Sequence, residues 1–156
     1  MAVVIAPEPF ESEDARALTS RSVAEMRAVY RIEEDFTDVE PHEFYPPDGV
    51  FLVAREGTNP IACGGMRRFD ERSAEVKRMY TDPAWRGRGV ARLMLEQLEA
   101  CARDAGYARV VLETGTLQPH AVALYRSLGY RDMPCWGAYA DDPTSVCFER
   151  ELTGEV

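Results

Sequence analysis

The period of hydrophobic residues changes in the middle of this chain, from two to about three and a half, and the change falls on a pair of glycines. From Gly49 onward, strand-like runs occupy Val50 to Arg55, Ile61 to Phe69 and Ala74 to Thr81. They are joined only by Glu56-Gly57-Thr58-Asn59-Pro60 and by Asp70-Glu71-Arg72. Connections this short admit an antiparallel meander and little else. After Asp82-Pro83 and the pair Gly87-x-Gly89, a helix is expected from about Arg88 to Ala105. Its apolar stripe is Val90, Met94, Leu98, Cys101, Ala102 and Ala105, with Gly106 as its stop. The opposite face, Arg92, Glu96, Glu99 and Arg103, is charged.

The flanking segments complete an alternating pattern. Ala2 to Ala6 reads as an edge strand closed by Pro7 and Pro9, and Ser12 to Glu34 carries helical spacing, as two consecutive helices. Asp35 to Asp48, with three prolines and the aromatics Phe36, Phe44 and Tyr45, reads as an irregular loop. Ala108 to Glu113 is a near-continuous apolar run, the pattern of a buried strand. A helix over Pro119 to Leu128 and strands over Arg131 to Tyr139 and Ser145 to Leu152 follow. At 156 residues the chain is one α/β domain, 1–156, with a mixed sheet.

Composition narrows the function classes. The formal net charge is −9, which disfavours phosphate backbones and anionic membranes as partners, so no nucleic acid and no membrane are expected. No apolar stretch approaches the ~18 residues of a membrane span. Lys77 is the sole lysine, read here as compositional bias. Cys63, Cys101, Cys135 and Cys147 are far apart and only His42 and His120 accompany them, so no metal-ligand spacing exists and no metal is expected. Reduced thiols in a cytoplasmic protein are the expectation.

The segment from Met79 to Ala91 carries the chemistry. Glycines at 87 and 89 let the backbone turn tightly and aim the unpaired N–H groups of a helix start at an anion, which the helix dipole also favours. Arg86 and Arg88 add positive charge. An ordinary strand-to-helix turn would use the same glycines for geometry alone. A dinucleotide fingerprint fits less well, because Arg92 stands where a third glycine belongs, five residues separate Thr81 from Gly87, and the preceding strands are antiparallel.

Here the sequence resembles the GNAT superfamily of acyl-CoA-dependent N-acyltransferases. Arg86-Gly87-Arg88-Gly89-Val90-Ala91 matches that family's Arg/Gln-x-x-Gly-x-Gly/Ala turn, and Ala121 to Tyr130 looks like its late helix ending in Tyr-x-x-Leu-Gly-Phe/Tyr. The strand Val76 to Thr81 before an Asp-Pro turn is also similar. The resemblance implies a mixed, mostly antiparallel sheet of six to seven strands, splayed in the middle and flanked by about four helices. It implies acetyl-CoA as co-substrate. Backbone groups of Met79, Tyr80 and Thr81 would pair with the pantetheine arm, N–H groups from Arg88 to Ala91 would hold the diphosphate, and Gln118 stands where many relatives have asparagine.

Acyl transfer requires a neutral amine. At pH 7 a lysine-like ammonium costs about 4.6 kcal/mol to deprotonate and an α-amine about 1.1 kcal/mol, so a base matters. Glu75, eleven residues before Arg86, holds the position from which some GNAT members use a strand glutamate, and a solvated cross-strand ion pair is its other reading. Glu113 is the second candidate base. Tyr125 aligns with the tyrosine that meets the departing sulfur, by hydrogen bond more readily than by full proton transfer. A backbone N–H of Met79 or Tyr80 would serve the oxyanion. The cysteines read as core residues and His120 as a surface residue.

The acceptor pocket would be built from the early helices, the Asp35 to Asp48 loop and Asp132 to Thr144. Acids and aromatics there suit a cationic amine, whereas Arg67, Arg68 and Arg78 suit a substrate carboxylate. The expected activity is N-acetylation of a small-molecule amine or amino acid by direct attack in a ternary complex. A protein or peptide N-acetyltransferase, a catalytically silent acyl-CoA-binding module and a nicotinamide-dependent oxidoreductase are the alternatives. Pairing of the final strand across a homodimer is a further expectation.

Overall fold

The computed structural model describes residues 2–33, 36 and 38–152. One mixed seven-stranded sheet runs in the order β1-β2-β3-β4-β5-β7-β6. Its strands are β1 (Val3–Pro7), β2 (Val50–Glu56), β3 (Asn59–Asp70), β4 (Ser73–Thr81), β5 (Arg109–Gly115), β6 (Arg131–Met133) and β7 (Ser145–Glu151). Among the described residues there are three α-helices, α1 (Glu13–Tyr30), α2 (Val90–Asp104) and α3 (Pro119–Ser127). The expected four reduce to three because Glu13–Tyr30 forms one continuous helix, not two. Ser12 caps it by accepting the Ala15 N–H at 3.1 Å, and Glu13 and Asp14 complement its dipole.

The predicted meander is present: β2 to β3 and β3 to β4 pair antiparallel, whereas β4 and β5 run parallel, with α2 as the crossover. The α2 stripe Val90, Met94, Leu95, Leu98 and Ala102 is buried with Ala74, Val76, Val110 and Leu112 in the larger core cluster. At roughly 1.5 to 3 kcal/mol per large apolar side chain, this stripe anchors the helix. Beneath α1 lies a smaller cluster of Ala15, Leu18, Phe44, Phe51, Val53, Cys63 and Tyr80.

Three further expectations are corrected. The strand expected over Arg131 to Tyr139 stops at Met133, and the chain then forms a short 3-10 turn at Gly137–Tyr139. The final strand, proposed to pair across a dimer, lies between β5 and β6, so the sheet's outer strand on that side is β6. Cys135 and Cys147, expected as separate reduced core thiols, form a disulfide. Antiparallel pairing of Met133 with Cys147 brings Cys135 back beside it, a proximity that spacing along the chain does not reveal.

Two irregularities in β4 shape the centre of the molecule. Its pairing with β5 runs from Ser73↔Arg109 to Val76↔Leu112 and ends there, while pairing with β3 continues to Ala62↔Thr81. The main chain from Lys77 to Thr81 therefore has a free edge toward β5. Its register with β3 also shifts between Gly65↔Lys77 and Cys63↔Tyr80, with Arg78 at φ 61°. This is a β-bulge, which bends and twists its strand.

Candidate active site

Pairing of β4 with β5 ends at Val76↔Leu112, and two electrostatically different groups of residues flank the segment beyond. In the first, Gly87 and Gly89 adopt φ of 76° and 81°, and a Cβ at either would meet nothing within 4 Å. Their role is therefore conformational. Gly89 begins α2 without any side-chain cap, and no acid stands in the first turn, in contrast to α1. The first main-chain bond there is Leu93 N–H to Gly89 O at 3.1 Å, and among the described residues the N–H groups of Gly87 through Arg92 have no main-chain acceptor. Free donors and the positive end of the helix dipole thus stand together at the start of α2, a combination that fits a diphosphate.

The two arginines of the turn behave differently. Arg88 lies over the Trp85 ring at 4.8 Å. Arg86 turns back onto α1, gripping both oxygens of Glu25 at 2.9 and 2.8 Å and donating to Thr81 O at 3.0 Å. Its structural work is to fasten the turn to α1. Gln118 is the N-cap residue of α3, and its Nε2 donates to Tyr30 Oη at 3.2 Å.

In the second, the side chains of β4 and β5 form a charged cluster on the α1 side of the sheet. Glu75 is 3% exposed and accepts from Arg67 Nε at 3.1 Å, while its second oxygen lies 3.9 Å from Lys77 Nζ. Arg67 also reaches Glu43 at 3.0 Å and the Asp38 carbonyl at 2.7 Å. The carboxylate of Glu75 is thus already engaged by cations from two strands.

Glu113 has a different environment. Burial pushes its carboxyl up to about 7, opposed by the hydrogen bond from Ser145 Oγ at 2.9 Å and by the charge of Lys77. Among the described residues no cation pairs with it directly. Tyr125, from α3, is 6% exposed and packs against Tyr130 and Phe148. Burial, with the charge of Glu113, pushes its phenol up to about 12. Among the described residues its hydroxyl has no protein hydrogen-bond partner.

Lys77, read from the sequence as compositional bias, is a buried member of this cluster. It contacts the Asp38 carboxylate and donates to Tyr139 Oη at 3.0 Å. Of the three arginines expected to suit a substrate carboxylate, Arg67 and Arg78 stand in this cluster, but Arg68 faces away, pairing with Asp48 at 2.9 Å. Asp35, expected in the acceptor loop, lies outside the described residues. Sequence reasoning gave Tyr30 no role, yet it closes the β5–α3 connection; its signal was the Gly115 against which it packs. Among the described residues no group of three or more His, Cys, Asp or Glu side chains is placed to hold a metal, and no helix is long and apolar enough to cross a membrane.

A splayed α/β sheet with an uncapped glycine turn at the start of α2 and, on β5 and α3, a half-buried carboxylate and a buried phenol defines a class, the acyl-CoA-dependent acyltransferases. Comparison with known proteins agrees. The model of the acetyltransferase (GNAT) family matches residues 15–130, and the chain belongs to that family and is an N-acetyltransferase. It is 41% identical over 107 residues to an IAA acetyltransferase of Azospirillum brasilense, covering 68% of this chain and 70% of that one. It is 31% identical over 115 residues to the human N-acetylaspartate synthetase, 73% of this chain but 38% of that one. The fold matches the PaiA N-acetyltransferase of Thermoplasma acidophilum in complex with coenzyme A, with a TM-score of 0.72, 16% identity, and coverage of 97% and 99%. GNAT enzymes use acetyl-CoA, and the donors of this site fit it.

Proposed function

We propose that this chain transfers an acetyl group from acetyl-CoA to the amine of a small molecule or amino acid, by direct attack in a ternary complex. The observation that carries the reading is the pairing of the β4–β5 gap with Glu113, a carboxyl held near neutrality beside it. Bound acetyl-CoA supplies an activated thioester carbonyl. N–H groups of Arg88 to Ala91 bind the diphosphate, and the free edge of Met79, Tyr80 and Thr81 orients the pantetheine arm. An N–H of Met79 or Tyr80 donates to the carbonyl oxygen as charge develops on it.

Glu113 takes the ammonium proton, directly or through one water. A base near 7 is matched to an α-amine near 7.8, where an ordinary glutamate near 4.3 is not. Glu75, first in line from the sequence, acts instead to position Arg67 and Lys77, since both its oxygens face cations. Tyr125 donates a hydrogen bond to the departing sulfur. Moving the proton outright from a phenol near 12 to a thiolate near 8.5 is uphill by roughly 5 kcal/mol. The names of the two curated relatives, each an acetyl-transfer activity on a small molecule, support a small acceptor.

Thiol release from acetyl-CoA, screened over free amino acids, simple amines, polyamines and short peptides, tests this. Turnover with a small amine is expected. Coenzyme A binding with no thiol released by any acceptor would mark a silent binding module, and turnover with peptides alone would mark a protein acetyltransferase.

A further inference from the structure

Lys77 and Arg78 are consecutive residues of β4, so a regular strand would point them to opposite faces. The bulge at Arg78 removes that alternation, and both side chains converge on one carboxylate, Asp38. Arg78 donates to Asp38 Oδ1 at 2.7 Å, and Lys77 contacts the other oxygen, Oδ2. Although burial works to raise it, the hydrogen bonds from the two cations hold the Asp38 carboxyl well below the usual range.

The two sides of this contact are unequally exposed. The side chains of Lys77 and Arg78 are 7% and 11% exposed, whereas that of Asp38 is 42% exposed. Asp38 can therefore turn into water, but the cations cannot follow it. Once it leaves, Arg78 keeps the neutral Phe36 carbonyl at 3.3 Å, and Lys77 keeps Tyr139 and a 3.9 Å approach to Glu75, a carboxylate that Arg67 already shares; two largely buried cations are then short of one negative charge, which favours another anion in its place. Exchange of one carboxylate for another keeps the charge balance, and a neutral group does not.

We propose that Lys77 and Arg78 form the subsite for a carboxylate of the acceptor, and that Asp38 is an internal stand-in which the acceptor displaces. This rests on the N-acetyltransferase reading and narrows its substrate class to amines that also carry a carboxylate. Arg78 also helps to wall a cavity of about 610 Å³ between α1 and the segment around Val39. Phe10, Val23, Phe36 and Val39 line it, an apolar surface next to the cation, so an acceptor with an apolar body fits. Lys77 links this subsite to the reacting end, since its charge acts on Glu113.

Calorimetric titration of the full chain with phenylacetate and with phenylacetamide tests the subsite without requiring the true acceptor. Asp38→Asn is expected to bind phenylacetate at least tenfold more tightly than the unaltered chain, because the stand-in no longer competes. Phenylacetamide should gain nothing, and Asp38→Asn combined with Arg78→Gln should lose the gain. Equal responses to acid and amide, or no tightening in Asp38→Asn when its melting temperature confirms folding, would overturn the proposal. The outcome is independent of thiol release: carboxylate binding without turnover on any amine would sink the enzymatic reading and leave the subsite standing. Turnover with no carboxylate effect would do the reverse.

Discussion

Replacement of Glu113 by glutamine should make the protein more stable and less active, and both effects should depend on pH in a stated way. The carboxyl sits at about 7 in the fold against an ordinary value of 4.5. Ionising it in place therefore costs about 3 kcal/mol more than in the open chain. Because the folded value is raised, the native state is favoured by this group below 4.5, and that advantage is lost as pH rises through 7. Glutamine keeps the shape and the capacity to pair with Ser145 but never ionises. Relative to the unaltered chain, Glu113→Gln should gain about 1 kcal/mol at pH 5 and about 3 kcal/mol at pH 8. For a domain of this size the latter corresponds to a rise in Tm of about 6 to 12 °C.

Urea unfolding at pH 5 and pH 8 reads the stability, and thiol release across the same range reads the activity. In the unaltered enzyme kcat/KM should climb with an inflection near 7, and in Glu113→Gln that inflection should vanish with a rate loss of about 100-fold or more. A variant less stable at pH 8, or one that keeps the inflection, would refute the assignment of Glu113 as a half-buried base held without a cation partner.

The phenol, the glycine contact and the disulfide offer independent tests. Tyr125→Phe should lower kcat by about 10- to 100-fold, the worth of one hydrogen bond to a charged atom, with coenzyme A affinity unchanged by calorimetry; equal loss of both would make it a packing residue. A Cβ on Gly115 would lie 1.7 Å from Tyr30 Oη, so Gly115→Ala should cost about 3 kcal/mol in urea unfolding. Combining it with Tyr30→Ala should cost less than the sum of the single changes, and strict additivity would contradict the contact. Opening the Cys135–Cys147 bridge, which spans 12 positions, should remove about 3 kcal/mol. A Tm unmoved by reductant, with Cys147→Ser as control, would show that the bridge contributes nothing.

The parts of this molecule that were legible in the sequence are those set by neighbours along the chain. Short turns forced the β2–β3–β4 meander, 3.6-residue spacing placed α2 to within two residues, and glycines at 87 and 89 announced a turn that only positive φ permits. The turn motif and the late tyrosine helix identified the family for the same reason, since each is a contiguous local device. Glu75 and Tyr125 were named on position alone; in the fold Glu75 faces the cations Arg67 and Lys77, and Tyr125 is buried against Tyr130 and Phe148.

What tertiary structure alone decided was the partnership among charges. Whether a glutamate is a base or half of an ion pair depends on what the neighbouring strand brings opposite it. Arg67 stands across from Glu75 in the β3–β4 register, whereas β7 brings the neutral hydroxyl of Ser145 to Glu113. Likewise a one-residue shift in register, invisible in a list of residues, set Lys77 beside Arg78 and made the sole lysine part of the cluster. Hydrophobic pattern and turn chemistry act over a few residues and survive in the string of letters. Coulomb and solvation energies act through space, and they take their values only when the chain has folded.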